Sequence, residues 1–370
     1  MIDFEALSPD APAIILLCSS IATERRGGGA DRGASTMLGE ATTRPLGPRT
    51  WAKLSDRLVN RSLGGARDLI GLTADEIDRR LEVGEEEAAR YARLLARGGQ
   101  LAFELDRLRS RGIWVVTVAD EAYPARLVER LGPDAPPVLF GSGDATGLDG
   151  GGIAIVGSRD VDEAAIAFTE RLASAAARGG TRVISGGARG IDVTAMRAAA
   201  ADGFVVGVLP EGVERRLREG ETRVAVAAGR AVLLSPYHPN AAFSAGAAMG
   251  RNRIIYCLAD VAVVVSSAAG SGGTWTGALE ALNGSWTPVL VRDGPSVPDG
   301  NHALITKGGV PYPEDALAGD TPAVTVADLL ALARTGDLAR TGDLARAGDL
   351  AKPEASAPSP YQQQSLFDDG

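Results

Sequence analysis

Seven short apolar runs in the second part of the chain constrain its fold more than any other feature. Most are separated by stretches in which apolar residues recur three and four positions apart, the spacing of a helix. The runs are IWVVTV (113–118), IAIVGS (153–158), RVISGG (182–187), FVVGVLP (204–210), AVLLSP (231–236), VAVVVSS (261–267) and TPVLVRD (287–293). A strand that is apolar on both sides must be covered on both sides, and intervening helices provide that cover. The sequence therefore predicts a doubly wound, mostly parallel α/β sheet.

Different patterns flank these runs. Residues 1–108 carry helical spacing, and Thr73 with Glu76 forms a capping box of the kind that starts a helix. We expect a helical N-terminal domain over 1–108 and the α/β domain over 109–319. After about residue 320 the chain contains a six-residue repeat, LARTGDLARTGDLARAGD at 332–349, and then a tail rich in Pro, Ser and Gln. Such a composition cannot bury a core, so we expect 320–370 to be a disordered, low-complexity tail.

Charge and cysteine content exclude several classes of protein. The formal net charge of −9 argues against a broad basic surface that coats duplex DNA, but it allows a local basic groove. Two cysteines and two histidines are too few for a disulfide framework or a zinc site. No apolar run approaches the roughly 20 residues of a membrane helix. We therefore expect a cytoplasmic protein that binds no metal and no membrane.

Three glycine-rich segments follow apolar runs, at 157–159, 186–190 and 270–274. In doubly wound sheets ligands bind beyond the carboxyl ends of the strands, where such segments lie. Each segment directs backbone N–H groups toward one place, and two of them lead into a helix whose positive end favours an anion. The pattern predicts an anion-binding edge made of three loops.

The middle segment, SGGARGID, leaves the nature of the anion open. Its glycines either permit a tight turn or let the backbone approach a phosphate, and Arg189 adds a suitable charge. Glu211 follows the next strand, where an acidic residue contacts a ribose in dinucleotide-binding proteins. The glycines, however, read G-G-x-x-G instead of G-x-G-x-x-G. A nucleotide cofactor, a small signalling ligand and a nucleic acid backbone all fit this segment.

The string RNR, Arg251–Arg253, reads as the start of a helix. Arginine in a first turn opposes the helix dipole, and a broken local rule indicates either a functional site or a solvated basic turn. In the third loop Glu280 comes six residues after Thr274 and is expected to point away, which disfavours a nucleotide-cleaving enzyme. No Ser/His/Asp or Cys/His set is recognisable either. We therefore expect no catalysis, and a dehydrogenase is excluded for want of a clean dinucleotide motif.

These motifs together resemble a known family. IAIVGSRD, RVISGGARGIDVTAM, FVVGVLPEG, RNRIIYCLADVAVVV and GSGGTWTGALEAL occur in the order and spacing of the DprA/Smf family of DNA-processing proteins. The resemblance covers about residues 112–313 and implies a Rossmann-like core. It implies a homodimer that binds single-stranded DNA and hands it to the recombinase RecA, in DNA uptake and transformation, recombination or genome defence. It implies no cofactor and no catalytic turnover.

The resemblance also implies which residues contact the DNA. The first loop would line one edge of a pocket, the second would bind phosphate through backbone N–H groups and an arginine, RNR would clamp phosphates, and the third loop would close the pocket. These residues are Gly157, Ser158, Arg159, Ser185, Gly186, Gly187, Ala188, Arg189, Gly190, Asp192, Arg251, Asn252, Arg253, Ser271, Gly272, Gly273 and Thr274.

The chain departs from the family pattern at several positions. Met196 stands where a histidine is usual, Ser266 and Ser267 where an acidic residue is common, and GGTWTG replaces the usual loop. Trp275 in that loop would stack a base or pack against the sheet. These departures indicate a divergent branch, and a Rossmann-like nucleotide-binding sensor or nucleotide hydrolase is the alternative function.

A separate motif lies near the end of the sequence. QQSLF, with Gln363, Leu366 and Phe367, resembles the short linear motif by which bacterial proteins dock on the sliding clamp. Two large apolar residues on a flexible tail suit weak binding in a pocket. The sequence therefore raises the hypothesis of a clamp-binding tail.

Overall fold

The computed structural model describes residues 7–22, 44–317 and 323–347. Its first described part is helical, as the sequence predicts. The helices are α1 (Ala11–Cys18), α2 (Pro48–Asn60), α3 (Ala74–Leu81), α4 (Glu85–Leu95) and α5 (Gly98–Arg109). The capping box at the start of α3 is confirmed: Thr73 Oγ1 accepts from the Glu76 N–H at 3.3 Å, and the Glu76 carboxylate accepts from the Thr73 N–H at 2.8 Å.

One sheet of nine strands follows within the described residues. The strands are β1 (Ile113–Thr117), β2 (Val138–Ser142), β3 (Ile153–Gly157), β4 (Val183–Ser185), β5 (Val205–Val208), β6 (Ala231–Ser235), β7 (Val261–Ser266), β8 (Val289–Asp293) and β9 (Val310–Pro313). Their spatial order is β1-β2-β6-β5-β4-β3-β7-β8-β9. The seven strands from β3 to β9 are parallel, while β2 pairs antiparallel with both β1 and β6. The predicted doubly wound, mostly parallel sheet is confirmed.

Helices cover both faces of this sheet. They are α6 (Ala125–Leu131), α7 (Glu163–Arg178), α8 (Ile191–Asp202), α9 (Val213–Arg216), α10 (Gly220–Ala227), α11 (Ala245–Leu258), α12 (Gly272–Asn283) and α13 (Asp299–Thr306). Alternate residues of each strand enter opposite layers: Ile153 and Ile155 pack with α7 and α8, whereas Ala154 and Val156 pack with α11 and α12. Strands apolar on both sides thus follow directly from burial on both sides.

The N-terminal helices share a core with the antiparallel edge. Ile113, Val115, Val138 and Phe140 of β1 and β2 lie in one apolar cluster with side chains of α1 to α5. Burial of these residues joins the helices to the sheet without a break in the packing. The predicted boundary between 108 and 109 stays a prediction.

The last described helix lies near the end of the chain. Helix α14 (Val326–Ala347) falls within 320–370, and the start of a disordered tail at residue 320 stays a prediction. Leu329 and Ala333 are buried in the same apolar layer as α7 and α8. The six-residue repeat is rich in Leu, Ala and Arg, which are strong helix formers, and that propensity outweighs the cost of its glycines. Residues 348–370, with the proposed clamp motif, lie outside the described residues.

None of the helices in the described parts of the chain is both long and apolar enough to cross a membrane.

Candidate functional site

The three glycine-rich loops lie side by side. They follow β4, β3 and β7, which are neighbours in the sheet, and all three leave the carboxyl edge. The backbone N–H and Oγ of Ser158 both donate to the carbonyl of Ser266, at 2.9 and 3.1 Å, and so join the first loop to the end of β7. The predicted edge is therefore assembled by the parallel order of the strands.

Two glycines let the loops approach each other closely. A Cβ on Gly157 would lie 2.5 Å from Cγ1 of Ile191, and one on Gly190 would lie 2.5 Å from the carbonyl oxygen of Ser158. Gly190 also has φ +85°, a conformation that favours glycine. The glycines thus bring the first loop directly against the start of α8.

Two helices begin at this edge, and at α8 the N–H groups of Ile191 and Val193 already donate to the carbonyls of Ser158 and Ala188, at 3.4 and 3.0 Å. Helix α8 begins after Gly190 and α12 after Ser271, and neither N-cap residue accepts a side-chain hydrogen bond from its helix. The first N–H groups of a helix lack intrahelical partners and carry a partial positive charge. Two such ends on one edge favour an anionic ligand.

The edge contains two cavities. The inner cavity, of about 580 Å³, lies between the first and third loops and reaches Asp192, Arg251, Asn252 and Tyr256. The arginine cleft, of about 1170 Å³, runs along α8 and is lined by Arg159, Arg189, Arg197, Arg215 and Arg216. The loop residues predicted from the sequence are divided between them: Ser158 and Ser271–Thr274 line only the inner cavity, Gly187 and Gly190 only the cleft, and Arg159 and Ala188 line both.

The structure corrects the interpretation of Arg251. It is the seventh residue of α11, not a first-turn residue, because the helix begins at Ala245 and is capped by Ser244. Its side chain is almost wholly buried, and within the described part of the chain its Nε and Nη1 have no hydrogen-bond partner. The nearest carboxylate oxygen, Oδ2 of Asp192, lies 3.9 Å from Nη1. A Cβ on Gly186 would overlap the guanidinium, so this glycine makes room for it.

Burial shifts the pKa values of Arg251 and of the two polar side chains beside it. It raises the pKa of Asp192, an effect opposed by the charge of Arg251 and by the backbone N–H groups of the second loop. Burial likewise lowers the pKa of Arg251, opposed by Asp192. The Tyr256 hydroxyl is buried beside them with no partner among the described residues, and burial raises its pKa. Together they form a polar group beneath the second loop.

The other two residues of the RNR string have separate roles. Asn252 Nδ2 donates to the carbonyl of Gly273 at 2.9 Å, which ties α11 to the third loop. Arg253 does not line either cavity; it makes a bidentate pair with Glu280, at 2.9 and 2.7 Å. Trp275 is buried in the core beside the sheet, so of the two alternatives for it, packing is the one observed.

The arginines of the cleft are more exposed. Arg189 is 76% exposed and pairs with Asp160, itself 91% exposed, at 2.6 Å. The guanidinium of Arg159 lies over the ring of Phe243, 5.1 Å from its centroid. Such exposed pairs contribute little to stability and exchange readily with other charges. These side chains are therefore available to a ligand.

Sequence reasoning missed part of the cleft. Arg197, Arg215 and Arg216 were not among the predicted residues, although 210–216 follows β5 at the same edge of the sheet. Arg216 bonds to Glu211 at 2.9 Å and to the carbonyl of Gly187 at 3.0 Å. The carboxylate of Glu211, which lies where an acidic residue would contact a ribose, is therefore already paired with Arg216. Reading every loop at the carboxyl edge, including loops without glycine runs, would have found Arg215 and Arg216, whereas Arg197 lies within α8.

Fold and edge together define a class: a Rossmann-like α/β protein whose carboxyl edge carries three glycine-rich loops and a cleft lined by arginines. The model of one protein family, DNA recombination-mediator protein A, matches residues 114–313, more than half of the chain. The chain belongs to this family, in agreement with the resemblance found in the sequence.

The chain is also similar to individual known proteins. The putative DNA processing protein DprA of Mycobacterium tuberculosis is 31% identical over 261 residues, which cover 64% of this chain and 64% of that relative. The X-ray structure of DNA processing protein A from Streptococcus pneumoniae matches 77% of this chain and 95% of its own, at 22% identity and a TM-score of 0.56. DNA processing protein A from Helicobacter pylori, described for its single-stranded DNA binding mode, matches 54% of this chain and 90% of its own, at 24% identity and a TM-score of 0.45.

Proposed function

We propose that this protein binds single-stranded DNA along the carboxyl edge of its sheet, as a non-catalytic DNA-processing protein. The observation that carries the proposal is the arginine cleft beside three loops rich in backbone N–H groups, in a chain whose net charge is −9. A local basic groove on an acidic protein selects a narrow anionic ligand over a broad one.

The residues that contact DNA in this proposal differ in kind. Arg159 and Arg189 bind phosphates as exposed charges, while the second and third loops offer backbone N–H groups at 187, 189, 190 and 272–274. The N–H groups of Gly186 and Ala188 are held by Asp192. Arg251 and Asp192 do not contact the DNA in this proposal. They are buried beneath the second loop and stabilise its conformation. Arg253 is bound to Glu280 and, in this proposal, contributes least of the RNR string.

Single-stranded DNA suits this edge better than a duplex. Phe243 lies at the rim of the cleft with nearly half of its surface exposed, and its ring offers a face on which a base stacks. A duplex hides the faces of its bases, so this contact requires an open strand. Stacking and phosphate contacts together give binding that depends steeply on salt.

The test is binding of a 20-nucleotide oligo-dT and of a panel of mononucleotides, each across a range of salt concentration. We expect oligo-dT to bind, to weaken steeply with salt, and to bind at least about tenfold more weakly to Arg189→Glu. The matched control is Arg80→Glu, the same charge change on exposed α3 far from the edge in sequence, which should leave the affinity nearly unchanged. Salt-insensitive binding of a mononucleotide with no binding of oligo-dT would favour the nucleotide sensor or hydrolase instead.

The family adds further parts to the proposal. A recombination mediator delivers single-stranded DNA to a recombinase, so we propose homodimerisation and RecA as a partner. The expected result is that the parent protein speeds RecA filament formation on DNA coated with single-stranded-DNA-binding protein. The Arg189→Glu variant should not speed it. Binding to the sliding clamp through Gln363, Leu366 and Phe367 is tested by deleting 363–370, which should abolish clamp pull-down while oligo-dT binding persists.

A further inference from the structure

A third cavity lies beside the arginine cleft and has no role in the proposed function. It measures about 380 Å³ and lies between α8, α10 and the strands β5 and β6. Its walls are mainly small or apolar side chains, and charged residues stand around it. The lining residues on which the following steps depend are Met196, Arg197, Ala200, Glu221, Thr222 and Ala225. We call it the apolar pocket.

The pocket exists because its walls are built from small residues. Helix α10 has no buried residue, so it lies over the sheet without filling the space beneath it. Ala200 and Ala225 face the cavity from the two helices. Gly207 makes room for the Met196 side chain, whose Cε would lie 2.9 Å from a Cβ at that position. The result is an apolar space with a soft, polarisable thioether on one wall, a group that packs well against aromatic rings.

The apolar pocket is continuous with the arginine cleft. The two share Gly187, Val193, Arg197, Arg216 and Glu219 as lining residues. One of the charged pairs at the pocket, Arg197 with Glu221 at 3.2 Å, is 69% and 82% exposed, and such a pair opens at little cost. A ligand whose phosphate lies in the cleft therefore has an apolar space next to it.

We infer that the apolar pocket receives a nucleobase whose phosphate is held in the arginine cleft. A base is flat and apolar on its faces and polar at its edges, and the pocket matches this with apolar walls and with Glu221 and Thr222 as acceptors near its edge. Two sources supply this chemistry: a base of the bound strand, or a free nucleotide. The first source rests on the proposed function, whereas the second does not.

The test uses two separate changes: a substitution that fills the apolar pocket, and an oligonucleotide that lacks bases. Ala225→Leu places a larger side chain in the pocket, and Ala227→Leu makes the same change at an exposed position of the same helix that does not line it. Each variant is titrated with a 20-nucleotide oligo-dT and with an abasic oligonucleotide of equal length and charge. A panel of mononucleotides is titrated in parallel.

If a base of the strand enters the pocket, Ala225→Leu weakens oligo-dT binding by about tenfold, leaves the abasic strand unaffected, and Ala227→Leu changes neither. If a free nucleotide is the ligand, a mononucleotide binds the parent protein and Ala225→Leu abolishes that binding. Either result supports the inference. Absence of oligo-dT binding by the parent protein removes the proposed function, and the mononucleotide titration then still decides the pocket.

Two other outcomes would overturn the inference. If Ala225→Leu raises the melting temperature, as filling an empty space does, and changes none of these affinities, then the cavity is a packing void and the inference is overturned. The same holds if Ala225→Leu weakens the abasic strand as much as oligo-dT, because the effect is then independent of the base.

Discussion

The carboxyl edge carries two arginine–aspartate pairs that differ in burial. Arg251 and Asp192 lie beneath the second loop, with their side chains 3% and 8% exposed and 3.9 Å apart. Arg189 and Asp160 lie on the rim, with side chains 76% and 91% exposed and 2.6 Å apart. The closer pair is the more exposed one, so proximity alone does not tell which pair matters for the fold.

The difference assigns separate roles to residues of one type at one edge. A buried charge cannot lose its partner without leaving the other charge stranded, so Arg251 and Asp192 determine the shape of the loop. An exposed pair is screened by water and salt, so Arg189 is free to exchange Asp160 for a phosphate. In the proposed function, the buried pair supports the second loop and Arg189 of the exposed pair contacts the ligand.

The largest expected effect breaks the buried pair. Arg251→Gln leaves Asp192 buried without its cation and should lower the free energy of unfolding by about 3 kcal/mol, as measured by urea denaturation. The double variant with Asp192→Asn should be less destabilised than the sum of the single variants, because the stranded charge is then absent. A loss of less than about 1 kcal/mol in Arg251→Gln would contradict the structural role.

The next effect concerns the space beneath the loop. Gly186→Ala should destabilise the protein by about 2 kcal/mol, because the new methyl group overlaps the Arg251 guanidinium and overpacks the site. Gly246→Ala is the matched control on α11, where a Cβ meets nothing within 4 Å, and it should leave stability equal or slightly raised. Equal behaviour of the two variants in thermal unfolding would show that Gly186 is not constrained.

The exposed pair should show the reverse pattern. Arg189→Gln should leave the free energy of unfolding within about 0.5 kcal/mol of the parent. It should weaken oligo-dT binding severalfold and reduce the slope of log affinity against log salt by about 1, because one phosphate contact is lost. The affinity and its salt dependence are measured by fluorescence anisotropy, and the free energy of unfolding by urea denaturation, on the same preparation. An unchanged affinity with lowered stability would assign Arg189 to the fold instead.

The smallest effect removes the competing carboxylate. Asp160→Asn leaves Arg189 without its anionic partner, and oligo-dT should then bind about twofold more tightly at low salt, since one repulsive charge beside the phosphates is gone. Asp56→Asn, an exposed aspartate of α2, is the control with the same charge change. Weaker binding in Asp160→Asn alone would mean that Asp160 holds Arg189 in its binding position.

The sequence predicted the fold in considerable detail because doubly apolar strands and three-and-four spacing are local signals. The parallel sheet and the meeting of three loops at one edge followed from them, as did the helices before residue 109. The antiparallel pairing of β1 and β2 did not, because the direction of an edge strand depends on the connections around it, not on its own residues.

The site was predicted less completely than the fold. Glycines at 157 and 190 are recognisable because neighbouring atoms leave no room there for a Cβ, but burial of Arg251 depends on where α11 begins. Ser244 caps that helix two turns earlier than the arginines indicate, which moves Arg251 from a first turn to the interior. Likewise, the partner of Arg253 is Glu280, distant in sequence, and no local pattern indicates such a pairing.

The most direct test of the central claim is amide hydrogen exchange of the parent protein with and without a saturating 20-nucleotide oligo-dT. We expect slower exchange on binding at 187, 189, 190 and 272–274, where the backbone N–H groups have no partner among the described residues, and no change in α2 to α5. Protection confined to the N-terminal helices, with unchanged exchange in both loops, would contradict the claim that the carboxyl edge binds the strand.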